Sequence, residues 1–113
     1  MTFFDSEYFL GSLGGDSELA AELLDAYLED SPKRRDTLAQ AVETGDMDGA
    51  AKAAHSLKGM SGVVRATRLS EMALSIEMAA KEGREHYLRE QFEQFDSSFA
   101  DAIGEMRDFR GSI

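Results

Sequence analysis

Leu88, Phe92, Phe95, Phe99, Ala102 or Ile103, and Met106 recur every three or four residues along the end of the chain. That is the spacing of one helix face, and so large an apolar stripe has to be buried against other elements. No segment carries the alternating period of a strand. The remaining stripes are also helical. Asp16 reads as an N-cap for Leu19, Leu23, Ala26 and Tyr27, a stripe that runs to about Asp30. Ser31-Pro32 reads as a cap and first helical residue, with Arg35, Leu38, Ala41 and Val42 on the inner side. Whether these are two helices or one kinked helix is open. Thr44-Gly45-Asp46 closes this part and caps a helix with Ala50, Ala54, Leu57, Ser61 and Val64 inside. Thr67 is expected to cap the next, where Leu69, Met72, Ala73, Ile76 and Ala80 face inward and Gly83 ends the run.

Four substantial helices on short connections predict an all-α fold, an antiparallel four-helix bundle. Phe3, Phe4, Tyr8, Phe9 and Leu10, closed by glycines, predict a short additional N-terminal helix resting on one end of it, since such a helix is unstable alone. At 113 residues the chain is expected to be a single domain over 1–113, too small for two cores.

The third helix carries a polar face. At about 100° per residue, His55 points about 130° from the centre of the apolar row, with Ala51, Lys58, Gly59 and Gly62 as neighbours. It is expected to be solvent-facing among small or basic side chains. Gly59 and Gly62 each sacrifice about 0.8 to 1 kcal/mol relative to alanine inside a helix. For Gly59, far from the apolar row, open space for a partner is the better account; Gly62 suits either that or close helix packing.

The run H-S-L-K-G-M-S over 55–61, on an alanine-rich helix followed by a short break and a second helix, resembles the motif of histidine phosphotransfer (HPt) domains, carriers in multistep two-component phosphorelays. The resemblance implies His55 as phospho-acceptor, Lys58 as phosphate-stabilising cation and Gly59 as the small residue giving access. It implies receiver domains, and a sensor or hybrid histidine kinase, as partners, with Mg²⁺ held by the partner receiver and no cofactor on this chain. Some relatives place a Gln or Glu beyond the acceptor that hydrogen-bonds the imidazole, which points to Glu77; Lys81 would be a second phosphate cation. Read from the residues alone, Glu77 and Lys81 are an i,i+4 surface pair. The family's N-terminal helix often contributes to docking, which points to Tyr8 and Phe9, although burial of both is the simpler reading. The chain departs from the family at Arg65, where a glycine is usual before the turn.

The net charge of −10 is unevenly distributed. Residues 1–30 hold eight acids and no Lys or Arg, whereas residues 46–68 total +2. Nucleic acid, which needs a basic surface, is not an expected partner; a small anion or the acidic phosphorylated pocket of another protein suits the field around His55. No cysteine is present, and no long stretch lacks charges, so neither disulfides, thiolate metal sites nor a membrane span are expected. The expected location is cytoplasmic and the expected state a monomer. Met1 and the lack of a linker-like tail favour a free-standing protein over a domain of a hybrid kinase.

A di-metal bundle would need Glu-x-x-His pairs, but Lys52 and Gly83 stand three residues before the two histidines. Ser56 and Ser61 have no evident base for hydrolysis. The main alternative is a helical interaction module that receives no phosphate, with His55 incidental.

Overall fold

Among the described residues, three of five helices start on an aspartate whose carboxylate accepts from the backbone N–H three residues on: Asp5 from Tyr8, Asp16 from Leu19 and Asp46 from Gly49. Each satisfies a donor that the first helical turn leaves open. The computed structural model describes residues 2–113, with α1 Ser6–Ser12, α2 Ser17–Thr44, α3 Met47–Val63, α4 Thr67–Lys81 and α5 Glu85–Gly111. Thr67 does not cap α4. Ala66 holds the N-cap position without a side-chain bond and is fully buried, so Thr67 is already in the first turn.

Helices α2 to α5 form an antiparallel up-and-down bundle in which each packs on its two neighbours in the ring α2, α3, α4, α5. The 28 residues of α2, at about 1.5 Å each, match the 42 Å long axis of the molecule. It runs unbroken through Pro32, which settles the open point in favour of one helix. Proline removes one backbone donor, yet α2 is held on both sides of it. Asp25 pairs with Arg110, Arg35 with Asp96, and Tyr27 and Leu38 are buried.

The buried stripe of α2 differs from the expected one. Ala20, Leu24, Tyr27 and Ser31 face the core, while Leu19 and Ala26 are exposed and Leu23 is half-buried. Choosing the largest apolar residues rotated the face by one position, because small Ala20 and Ser31 are what let the neighbouring helices approach. Tyr27 OH shares a 2.9 Å hydrogen bond with Ser61 Oγ of α3. Burial pushes this phenol up to about 12, so it remains neutral.

Helices α3 and α4 are shorter than α2 and α5, whose paired ends project beyond them. Helix α1 covers that end. The Phe3 and Phe4 N–H groups donate to Glu105 Oε1 of α5, Phe4 packs on Phe9 and Phe109, and the Arg68 guanidinium lies 4.9 Å over the Phe3 ring. The phenylalanine stripe of α5 is core as expected, with Leu88, Phe95, Phe99, Ala102, Ile103 and Met106 buried and Phe92 at its edge.

The turn from α3 to α4 decides how the two helices meet. Ala66 N–H donates to Ser61 C=O and Arg65 N–H to Gly62 C=O, the paired bonds of a Schellman end. Such an end needs a left-handed residue. Gly14, Gly45 and Gly83 fill that place after α1, α2 and α4; after α3 it is Arg65, at φ 59°. The turn therefore keeps the glycine-type geometry with a side chain in it. Relief of the left-handed strain, about 1–2 kcal/mol, outweighs the entropy that glycine adds to the unfolded chain. Arg65→Gly is expected to stabilise the fold by about 0.5–1 kcal/mol, read as a higher urea midpoint at unchanged slope; an unchanged or lower midpoint would show that Arg65 is held by compensating contacts.

Candidate functional site

The row Ala50, Ala54, Leu57, Ser61 and Val64 is buried, together with Ala53. Alanine at three of these positions lets α2 and α4 lie close against α3, and Ser70 Oγ of α4 donates to the Lys58 carbonyl at 3.0 Å, fixing α4 beside the opposite face. On that face the His55 side chain is 66% exposed.

Glu77 is drawn underneath it. Its side chain is only 5% exposed, one oxygen accepting from Lys58 Nζ at 2.9 Å and the other lying 3.0 Å from both His55 Nδ1 and Lys81 Nζ. Glu77 is therefore more than half of a surface ion pair with Lys81. Burial alone pushes its carboxyl up, but the hydrogen bonds from Lys58 and Lys81, the Lys58 charge and the His55 bond outweigh burial and hold its pKa down to about 2. At neutral pH it is an ionised carboxylate, which only accepts. The proton between the two groups thus sits on His55 Nδ1, leaving the Nε2 lone pair free and facing outward.

The surroundings of the ring are bare. A Cβ at Gly59 would meet nothing within 4 Å, and one at Gly62 would reach only Ser70 Oγ at 4.0 Å. Neither glycine is required by packing inside the fold. A shallow depression of about 360 Å³ beside His55 is lined by Ala51, Lys52, Glu77 and Lys81. Lys52 was not singled out from the sequence, although its place three residues before His55 puts it on the same side of α3.

The two aromatics of α1 separate. Tyr8 is exposed, but the depression beside His55 draws on α3 and α4 alone. Phe9 is fully buried against Phe4, so the expectation that it lines a docking surface is corrected: the inner face of a short amphipathic helix must be covered for the helix to stay attached. Among the described residues, no group of three or more His, Cys, Asp or Glu is placed to hold a metal ion, and no helix is long and apolar enough to cross a membrane.

Residues 22–108 match the family model of the Hpt domain. The chain belongs to the Hpt family. Its fold is that of histidine-containing phosphotransfer protein B (HptB) from Pseudomonas aeruginosa PAO1, whose crystal structure it matches with a TM-score of 0.88 at 24% identity, over 98% of this chain and 96% of that one. Comparison with curated proteins gives no significant match. As an Hpt domain, the chain is a histidine phosphotransfer protein of phosphorelays, a setting whose partners are receiver domains and kinases. The helical interaction module has nothing in its favour.

Proposed function

We propose that His55 is the phospho-acceptor, taking a phosphoryl group on Nε2 from a receiver aspartate or a kinase and returning it to another receiver aspartate. The observation that carries this reading is the exposed ring whose Nδ1–H is committed to buried Glu77. As Nε2 attacks, the N–P bond forms, the acyl-phosphate O–P bond breaks and the aspartate leaves as carboxylate. Positive charge develops on the ring while Nδ1 keeps its proton, and Glu77 lies against that charge. The reverse step runs through the same groups.

Lys58 and Lys81 supply cations for the phosphoryl oxygens, exchanging Glu77 for the incoming group. Gly59 and Gly62 leave room for a receiver to approach, and Tyr8 is the aromatic of α1 that remains exposed for a partner. Positioning and charge dominate phosphoryl transfer, so the carrier needs no kinase activity of its own. The Mg²⁺ belongs to the receiver. Residues 1–113 act as one domain, a cytoplasmic monomer.

The reading is tested by incubating the protein with phosphoramidate, a small donor that needs no receiver. A single acid-labile, alkali-stable phosphate, located by ³¹P and ¹⁵N NMR on Nε2 of His55, is the expected result; a folded protein that gains no phosphate, or gains it on His86, would overturn it. Lys58→Ala is expected to slow labelling about tenfold with helicity unchanged, less than the loss of an enclosed oxyanion donor because water screens this open site. An unchanged rate would reduce Lys58 to a tether for Glu77.

A further inference from the structure

The cations of this acidic protein are not evenly engaged. Lys58 and Lys81 are held by Glu77, Arg35, Arg89 and Arg110 by carboxylates, and Arg84 lies over the Tyr87 ring. By contrast, among the described residues Lys33, Arg34, Lys52, Arg65 and Arg107 form no ion pair within 4 Å; for Lys33, Arg34 and Lys52 this holds although Glu29, Asp30 and Asp48 each precede one of them by four residues, the favourable order for pairing along a helix. Lys33 and Arg34 share one groove, and Lys52 lines the depression beside His55. Lys33 and Arg34, with Asp30 and Thr37, line the α2 side of a groove of about 550 Å³ whose α3 side is Ser56 and Met60. Turning round α3 from His55 toward α2, Lys52 comes at about 60° and Ser56 at about 100°. The groove thus begins on the flank of the ring away from Glu77.

We propose that Lys33 and Arg34, continued by Lys52, form a cationic docking strip that selects receiver domains carrying carboxylates beside their phospho-aspartate. The inference rests on the carrier reading above and names the partner chemistry of that same site. A chain of net charge −10 repels an acidic receiver pocket at long range. On the α4 side of His55, the two lysines are already drawn inward onto Glu77. On the α2 side, the positive charge remains uncompensated by direct pairing and is available to orient the encounter. Asp30 is the one acid that lines the groove. Such a strip acts on association and selectivity, not on the chemistry at Nε2.

The test uses receiver domains of the source organism, loaded with acetyl phosphate and Mg²⁺, taking the one that transfers fastest to the wild-type protein. Lys33→Glu/Arg34→Glu is expected to lower the second-order transfer rate about tenfold or more at low salt, with the difference collapsing at high salt, since steering is screened. The transfer rate at saturating receiver and labelling by phosphoramidate are expected to stay at wild-type values. Lys33→Ala/Arg34→Ala, which removes charge without reversing it, is expected to fall between the two. An unchanged second-order rate overturns the proposal, as does an equal loss of phosphoramidate labelling. So does a change in sedimentation of the charge-reversed protein alone, which would assign the strip to contacts between copies of this chain. Labelling by phosphoramidate without transfer from any receiver also overturns it while leaving His55 as acceptor; failure of phosphoramidate itself overturns the carrier reading instead.

Discussion

His55→Gln is expected to remove all acid-labile phosphate from the phosphoramidate-treated protein while the bundle stays folded. Glutamine has no nucleophilic nitrogen, because its amide lone pair is delocalised, so the loss is complete rather than partial. The fold has little at stake. The imidazole is mostly exposed and, among the described residues, makes its side-chain hydrogen bond to Glu77 alone, and the glutamine amide is able to donate to the same carboxylate. The urea midpoint is expected to move by less than the equivalent of about 0.5 kcal/mol, as for other surface positions. Intact mass before and after acid treatment gives the phosphate, and far-UV circular dichroism the fold. An acid-labile phosphate retained by the variant would move the acceptor away from His55.

Glu77→Gln is expected to slow phosphate acceptance about ten- to hundredfold, the usual cost of losing a partner that orients a reactive imidazole. The neutral amide no longer opposes the charge that develops on the ring, and it no longer fixes the proton on Nδ1. Nitrogen NMR is expected to report Nδ1–H in the wild type and a growing Nε2–H tautomer in the variant; wild-type tautomer and wild-type rate together would leave Glu77 a purely structural anchor.

The same substitution changes the response of stability to pH. The carboxyl pKa is lowered from 4.5 to about 2 in the folded protein. The stabilisation by the ionised form is therefore fully present above about pH 4.5 and is lost as the pH falls toward 2. At neutral pH the variant is expected to lose about 1–2 kcal/mol, less than the roughly 3–5 kcal/mol for breaking a fully buried pair, because both lysines still reach water. That deficit is expected to shrink steadily below pH 4.5 in urea titrations. A deficit independent of pH would place the effect in packing.

The parts of the site on one helix were legible in the sequence. Exposure of His55 and the inward row beneath it follow from helical period, which fixes relative directions within a helix whatever surrounds it. Glycine at 59 was legible as open space for the same reason. Residues separated by a turn were less so. From the residues alone Glu77 reads as an edge residue paired with Lys81; the family resemblance pointed it to the imidazole, which it meets, but nothing within α4 reports that it is 95% covered and shared with two groups of α3. Lys33 and Arg34 carry no signal of their own in the sequence, since their neighbour Ser56 belongs to another helix. Leu19 and Leu23 were misplaced because large apolar side chains outweigh alanine in any reading of pattern, whereas close helix contact favours alanine.

By itself the sequence determined the all-helical pattern, the aspartates Asp16 and Asp46 that cap two of the helices, the phenylalanine stripe that demands a core and the histidine face left outside it. These are consequences of local period and local hydrogen bonding. Tertiary structure decided that α2 continues through Pro32, that Phe9 turns inward and that Glu77 arrives beneath His55 with both lysines. The last depends on the left-handed turn at Arg65, which sets α4 against α3 and so brings together two residues 22 positions apart. A period fixes where a side chain points on its own helix; only the packing of helices fixes what it meets.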